Sequence, residues 1–175
     1  MKKNTLGIML FTVLFMPTAV QAIDNLKFRG NLVIPNCTIN NGNPIETDFR
    51  NIEIQTITVV NTGYHWKLLH IPINCPYVMG TPKIKITGTQ GAAVNSIQTN
   101  KYPDEKLVIY LKQSTSTGSK GNDIKLGQYQ ILNSNAVNNT KDNIYITAGI
   151  GREGNLSLLT PGPFIAAATL EVRYE

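Results

Sequence analysis

The stretch FIAAATLEVRYE, residues 164–175, decides the predicted fold. Apolar and polar side chains alternate along it, and such alternation places one set on each face of a β-strand. One parity holds Phe164, Ala166, Ala168, Leu170, Val172 and Tyr174. The other holds Ile165, Ala167, Thr169, Glu171, Arg173 and Glu175. The pattern predicts a half-buried strand over residues 164–174 that runs to the end of the sequence.

A second alternating stretch lies near the other end of the sequence, at Leu26, Phe28, Gly30, Leu32 and Ile34. Gly30 interrupts the apolar set, and its missing side chain would let the backbone approach a partner surface closely. Two amphipathic strands at opposite ends indicate a subunit that lends one strand and accepts another. The residues alone equally allow 26–34 to be the first strand of its own sandwich.

Residues 1–22 have the pattern of a signal peptide, with a basic start at Lys2 and Lys3 and an apolar stretch over 6–15. Val20-Gln21-Ala22 is a suitable cleavage site. The apolar stretch is shorter than the roughly 20 residues that a membrane span needs. We therefore expect an exported chain of single-domain size, without direct insertion into a membrane.

Cys37 and Cys75 are the two cysteines of the chain. Exported proteins form and keep disulfides, and no C-x-x-C motif suggests a redox or metal role. A bridge between them would close a loop worth roughly 4 kcal/mol in the chain-entropy account. We predict a structural disulfide.

Short β-rich stretches separated by Gly, Asn, Pro and Ser dominate the rest, and helical periodicity is hard to find. We expect strands over 26–34, 38–40, 45–49, 52–60, 66–74, 83–87, 107–111, 129–132, 144–148 and 164–174. Several have one apolar parity, as in Leu69, Ile71 and Ile73, which is typical of two sheets packed face to face. The polar residues 118–122 are expected to form a flexible loop.

Other functions find little support. The formal net charge of +5 is small and scattered, so nucleic acid is not expected as a partner. His65 and His70 are the two histidines, too few to complete a metal site, and no catalytic motif is visible. We expect no catalytic residues, metal or cofactor. Tyr64, Trp66 and Tyr77 could stack on a sugar, which leaves a binding module open.

The chain from residue 23 resembles the chaperone–usher pilins, and most of all the tip-fibrillum subunits of P-type pili. The resemblance lies in residues 24–32, 34–38, 53–56, 74–77 and 161–174. Its most specific part is a penultimate tyrosine with a glycine fourteen residues from the end, here Tyr174 and Gly162. One departure is Arg50, which follows Asp48-Phe49 where many pilins have glycine.

The resemblance implies an all-β, incomplete immunoglobulin-like β-sandwich that lacks its final strand. A donor strand from another subunit or from a chaperone would complete it. The implied division is a signal peptide over 1–22, a donor-strand extension over 23–35 and a pilin domain over 36–175. The implied partners are a periplasmic pilus chaperone, an outer-membrane usher and neighbouring pilin subunits, and the product is a fimbrium at the cell surface.

The implied site residues form two sets. The donor strand would use Leu26, Phe28, Gly30, Leu32 and Ile34. The acceptor groove, which also binds the chaperone, would use Gly162, Phe164, Ala166, Ala168, Leu170, Val172, Tyr174 and Glu175. The expected function is a structural minor or tip pilin that polymerises by donor-strand exchange. Two alternatives remain: a single-domain secreted adhesin that recognises a host sugar or protein, and an assembly terminator with an obstructed groove.

Overall fold

The computed structural model describes residues 26–175, and the predicted signal peptide lies outside them. The described chain divides into a short segment, 26–32, and a compact unit, Val33–Glu175. The segment has no assigned helix or strand, and its apolar side chains are exposed, with Leu26 at 74% and Phe28 at 90%. The strand predicted over 26–34 is therefore not formed within this chain. An extended segment needs a neighbouring strand for its backbone hydrogen bonds.

The compact unit consists almost entirely of β-strands. In chain order they are β1 (Thr38–Ile39), β2 (Gly63–Asn74), β3 (Pro82–Gly88), β4 (Ser96–Gln98), β5 (Leu107–Ser114), β6 (Lys120–Asp123), β7 (Gln130–Ile131), β8 (Asn143–Arg152) and β9 (Ala168–Tyr174). A single helical turn, α1 (Tyr102–Glu105), precedes β5, and short 3₁₀ turns lie at Asn40–Gly42, Ile54–Thr56, Ser134–Ala136 and Leu156–Leu158. Within residues 26–175 no helix is long and apolar enough to cross a membrane.

The strands form two antiparallel sheets. The larger sheet has the order β1-β2-β8-β5-β4, with β6 also paired to β5. The smaller sheet has the order β7-β3-β9, so β9 lies at its edge. In the register of β3 and β9, Ile84 faces Val172 and Ile86 faces Leu170. This two-sheet architecture confirms the predicted all-β sandwich.

The core lies between the two sheets. It is built from the inward parity of each strand, because alternate side chains point to the same face. The larger sheet contributes Ile71, Ile73, Ile109, Ile144, Ile146 and Ile150, and the smaller contributes Ile84, Ile86, Val172 and Tyr174. The strand β5 departs from simple alternation, since Val108 and Tyr110 on its other face are buried as well.

The predicted disulfide is present between Cys37 and Cys75, whose Cα atoms are 4.1 Å apart. It joins the residue before β1 to the residue after β2, the two strands that pair at this edge of the larger sheet. The bond thus fixes where the chain enters the sandwich.

The last strand begins later than predicted, at Ala168 rather than Phe164. Its partner β3 ends at Gly88, which pairs with Ala168, so residues 164–167 have no ladder to join. Ile165 is held instead by Asn100, whose side-chain oxygen accepts its N–H at 2.8 Å and whose N–H donates to its carbonyl at 2.9 Å.

Other strand predictions were wrong. Residues 45–49 form no strand, and 52–60 contain only the 3₁₀ turn Ile54–Thr56. The carbonyls of Ile57 and Thr58 accept hydrogen bonds from the buried Arg152 guanidinium instead of a ladder. The predicted flexible loop over 118–122 contains most of β6, because its polar residues pair with β5 and Asp123 binds Lys112 at 2.6 Å.

Candidate functional site

A groove runs along the edge of β9. Its walls are residues 37–49 on one side and residues 164–170 on the other. The cavity between them has a volume of about 1220 Å³. Core residues from both sheets form its floor, among them Ile71, Ile86 and Ile109. The cavity therefore lies directly on the hydrophobic core, at the place where β9 ends the smaller sheet.

The predicted inward parity of the last stretch faces this groove. Phe164, Ala166 and Leu170 are half-buried against the core, and Ala168 is exposed. All four line the cavity. The small alanine side chains leave room for side chains from another segment to insert over them.

The backbone of β9 offers hydrogen bonds toward the groove. On an antiparallel strand, alternate residues direct both N–H and C=O to the same edge. The carbonyl of Val172 points away from β3, since it accepts the N–H of Cys37 at 2.7 Å. Leu170 and Ala168 follow the same alternation and direct their polar groups to that edge. Among residues 26–175, no further segment forms backbone hydrogen bonds with this edge between Ala166 and Leu170. Such an edge is a template for one more strand.

A second cavity of about 940 Å³ adjoins the first. The two share the lining residues Thr47, Asp48, Phe49 and Phe164. At this junction the rings of Phe49 and Phe164 lie with their centroids 6.1 Å apart across the groove. The groove therefore has two compartments placed end to end, which we call the main compartment and the end compartment.

A buried ion pair supports the wall of the end compartment. Glu105 is 8% exposed and binds the Lys101 ammonium at 2.9 Å. Its carboxylate also accepts the Thr160 hydroxyl at 2.6 Å, while Lys101 donates to the Thr160 carbonyl at 2.7 Å. Burial acts to raise the pKa of Glu105, but the hydrogen bonds from Thr160 and Lys101 outweigh it and hold that pKa below its usual value. The pair fastens the chain before Gly162 to α1.

Gly162 lines the end compartment and has a backbone φ of +144°, which side chains rarely allow. The glycine of the C-terminal signature is therefore required by the local backbone.

Arg50 also lines the end compartment, with a φ of +58°. Its N–H donates to the Asp48 carboxylate at 2.7 Å, which closes a tight turn. A left-handed backbone favours glycine, so the departure from the pilin pattern introduces local strain at the groove wall.

The remaining predicted acceptor residues lie below or beyond the groove. Val172 and Tyr174 are fully buried and fix β9 to the core, and burial raises the pKa of Tyr174. The side chain of Glu175 binds Lys83 at 3.2 Å and Arg173 at 2.7 Å. These three residues thus hold the strand that borders the groove.

The predicted donor residues Leu26, Phe28 and Leu32 are exposed in the segment 26–32, and an added Cβ at Gly30 would meet nothing. Ile34, in the compact unit, is also exposed. None of them belongs to a strand.

Two groups of groove residues were missed from the sequence. Strands were expected over 38–40 and 45–49, whereas within 37–49 only Thr38–Ile39 forms one and the rest is an irregular wall. No pattern marked Lys101 and Glu105. An i, i+4 spacing of opposite charges is the signal that could have found the pair.

Two of the aromatic residues considered for sugar binding are engaged inside the protein. The Trp66 indole N–H donates to the Gly63 carbonyl at 2.8 Å. The Tyr64 hydroxyl accepts the Val59 N–H at 2.9 Å and lies 2.9 Å from the Thr58 hydroxyl. Tyr77 remains exposed.

The fold and the groove together define a β-sandwich with an open edge along β9. A family model described as "Fimbrial protein" matches residues 26–175. The fimbrial protein PrsE of Escherichia coli is 37% identical over 172 residues, which cover 97% of this chain and 95% of PrsE. The minor fimbrial protein PrsF of Escherichia coli is 35% identical over 107 residues, which cover 61% of this chain and 62% of PrsF.

Solved structures agree with this assignment. The P pilus adaptor subunit PapF aligns with a TM-score of 0.53 and 28% identity, over 83% of this chain and 100% of PapF. The P pilus rod subunit PapA aligns with a TM-score of 0.58 and 16% identity, over 86% of this chain and 100% of PapA. At this identity the alignment supports a shared fold and nothing more. The chain belongs to the fimbrial protein family. It is a structural subunit of a pilus and a component of the cell surface.

Replacing Arg50 by glycine should stabilise the protein by about 1 kcal/mol, because it relieves the left-handed strain. Urea unfolding measures the change. The matched control is Arg50→Ala, which removes the guanidinium but keeps a Cβ. Equal stabilisation by both variants would show that charge rather than backbone strain is responsible.

Replacing Glu105 by glutamine should cost about 1–2 kcal/mol at pH 7, because Lys101 loses its buried partner. The lowered pKa of Glu105 means that its contribution is complete above the unfolded-state pKa and is lost as the pH falls. The difference from the wild type should therefore shrink below about pH 4.5. Urea unfolding at several pH values tests this, with the exposed Asp104→Asn as control. A difference independent of pH would contradict it.

Proposed function

We propose that this pilus subunit accepts a donor strand in the groove along β9 and lends residues 26–34 to a neighbouring subunit. The observation that carries this proposal is the open edge of β9. At Ala168 and Leu170 that edge directs unpaired backbone groups toward a cavity that rests on the core. A strand placed there would gain backbone hydrogen bonds and bury apolar side chains at the same time.

In the acceptor role, Phe164, Ala166, Ala168 and Leu170 would contact the donor in the main compartment. Gly162 would shape the end compartment. Val172, Tyr174 and Glu175 would hold β9 in place while its free edge pairs with the donor. This division of roles follows from the cavity lining and from the burial of each residue.

In the donor role, Leu26, Phe28, Leu32 and Ile34 would insert into the groove of a neighbour. Each buried side chain is worth roughly 1.5–3 kcal/mol. Their exposure supports this role, because burying large apolar side chains against a partner removes them from water and lowers the free energy. Gly30 would allow close approach where the groove is shallow.

The partners of this scheme are a periplasmic pilus chaperone, an outer-membrane usher and other pilin subunits. The chaperone would first insert a strand beside residues 164–174, because an open apolar groove invites aggregation. It would also anchor the Glu175 carboxylate with basic side chains. At the usher, the donor segment of the next subunit would replace the chaperone strand. Better packing would drive the exchange without ATP and yield a kinetically stable fibre.

The place of the subunit within the fibre is part of the proposal. Two relatives, PrsF and PapF, are identical to this chain at more than a third of the aligned positions, and they are described as a minor fimbrial protein and a fimbrial adapter. We place this chain in the tip fibrillum, as a minor subunit with both a donor and an acceptor.

The alternatives receive less support. An assembly terminator would need an obstructed groove, whereas here the main compartment lies open beside the unpaired edge at Ala168 and Leu170. A sugar-binding adhesin would need free aromatic faces, whereas the Trp66 ring packs against Gly63 and Gly149. We also propose that the chain has no enzymatic role, since its family consists of structural pilus subunits.

Leu170→Asp should abolish chaperone capture and polymerisation, because it buries an unpaired charge in the groove. Co-purification with the chaperone and fibre formation are the measurements. Thr169→Asp is the matched control: it adds the same charge on the opposite face of β9, where Thr169 is exposed. Normal fibres from Leu170→Asp would refute the acceptor role.

Phe28→Asp should leave chaperone binding intact and block delivery of the donor segment to the next subunit. The reason is that Phe28 would have to enter an apolar groove. The control is Asn31→Asp, on the opposite parity of the same stretch. Complex formation between purified subunits measures the effect. Loss of chaperone binding by Phe28→Asp would mean that donor and acceptor segments are assigned the wrong way round.

A further inference from the structure

The loop between β2 and β3 carries three consecutive exposed apolar residues. Tyr77 is 49% exposed, Val78 40% and Met79 66%. We call these three residues the apolar tip. Large apolar side chains in a row on a surface commonly mark a contact with another protein.

The backbone of this loop is fixed on both sides of the apolar tip. Cys75 before it is bonded to Cys37. After it, Thr81 and Glu175 exchange backbone hydrogen bonds of 2.8 and 3.2 Å.

The middle of the loop is held as well. The Lys141 ammonium donates to the Val78 carbonyl at 3.0 Å. Gly80 has a φ of +92°, and a Cβ there would lie 2.8 Å from the Glu175 carbonyl oxygen. The loop is thus packed closely against the end of β9. Anchored at these points, it cannot turn its apolar side chains into the core.

The disulfide connects the apolar tip to the donor segment by two short lengths of chain. Ile34 is three residues before Cys37, a distance of at most about 10 Å in an extended chain. Cys37 and Cys75 have Cα atoms 4.1 Å apart, so the loop starts beside the point where the donor segment leaves the domain. Met79 follows Cys75 by four residues, at most about 14 Å.

We propose that the apolar tip packs against the body of the second copy of this chain whose groove holds residues 26–34. This inference rests on the proposed donor-strand function. With Ile34 seated in the groove, the short connection to Cys37 brings the accepting copy next to the loop. The tip then forms a second contact between successive subunits and limits the bending of the fibre at each junction. Donor and acceptor lie on one chain, so the same contact repeats along the polymer.

Oxidation of Met79 tests the contact directly, because Met79 is the one methionine after residue 16. Hydrogen peroxide converts an exposed thioether to the sulfoxide, and mass spectrometry detects the added oxygen. Two samples are compared: polymers of the full chain, and monomers whose groove is filled by a synthetic peptide of residues 23–35. Oxidation in the polymer should be slower by at least about tenfold, since it must await local opening of the contact.

The possible outcomes separate this inference from the proposed function. Polymers in which Met79 reacts as fast as in the peptide-filled monomer would overturn the contact and leave donor exchange standing. Failure of the chain both to take up the peptide and to polymerise would overturn both.

A variant pair provides the second test. Met79→Lys should still polymerise, because groove and donor segment are unchanged, but its fibres should have a shorter persistence length in electron micrographs. The control Ile131→Lys makes the same change at an exposed apolar residue of β7, on the opposite edge of the smaller sheet from β9. The role of the apolar tip would be refuted if Met79→Lys fibres kept the wild-type persistence length. It would also be refuted if both variants shortened the persistence length equally.

Discussion

Within residues 26–175, the hydrogen bond from Cys37 N–H to the Val172 carbonyl closes the free edge of β9 at one end and leaves the rest of that edge open. The chain that makes this bond then continues along residues 37–49 as a wall, separated from residues 164–170 by the main compartment. Everything proposed for the site depends on this arrangement. Were the wall to pair with β9 along its whole length, no edge would remain for a donor strand, and the core would be closed.

The disulfide and the buried end of β9 keep the groove in shape without filling it. Cys37 is bonded to Cys75 on the larger sheet, while Val172 and Tyr174 are buried under the smaller one. Both walls are therefore fixed at the same end, and they approach each other again at the rings of Phe49 and Phe164, where the end compartment begins. There the ion pair of Lys101 and Glu105 holds the chain before Gly162. A groove with rigid walls gains more from a fitting strand, because less conformational entropy is lost when the strand binds.

The groove that leaves part of the core uncovered is also what would favour the proposed assembly. A completed sandwich gains nothing from a further strand, whereas an edge with unpaired backbone groups gains both hydrogen bonds and apolar burial. In the proposed scheme donor and acceptor lie on one chain, so the contact between subunits is head to tail and need not close into a small ring. This is the physical basis on which a structural pilus subunit can form a fibre from one repeated interaction.

The sequence by itself determined the class of the fold, the disulfide and the inward parity of the last stretch. Alternation is a local signal, and Leu170 and Val172 face inward as their spacing predicts. The disulfide could be predicted because the chain has two cysteines, which allow one pairing. Only the tertiary structure decided where strands end and which edge stays open. The strand β9 starts at Ala168 because β3 ends at Gly88, and residues 45–49 stay irregular although their composition favours a strand. The polar strand β6 exists because β5 lies beside it. Strand pairing is a property of two segments, so one segment's sequence cannot fix it.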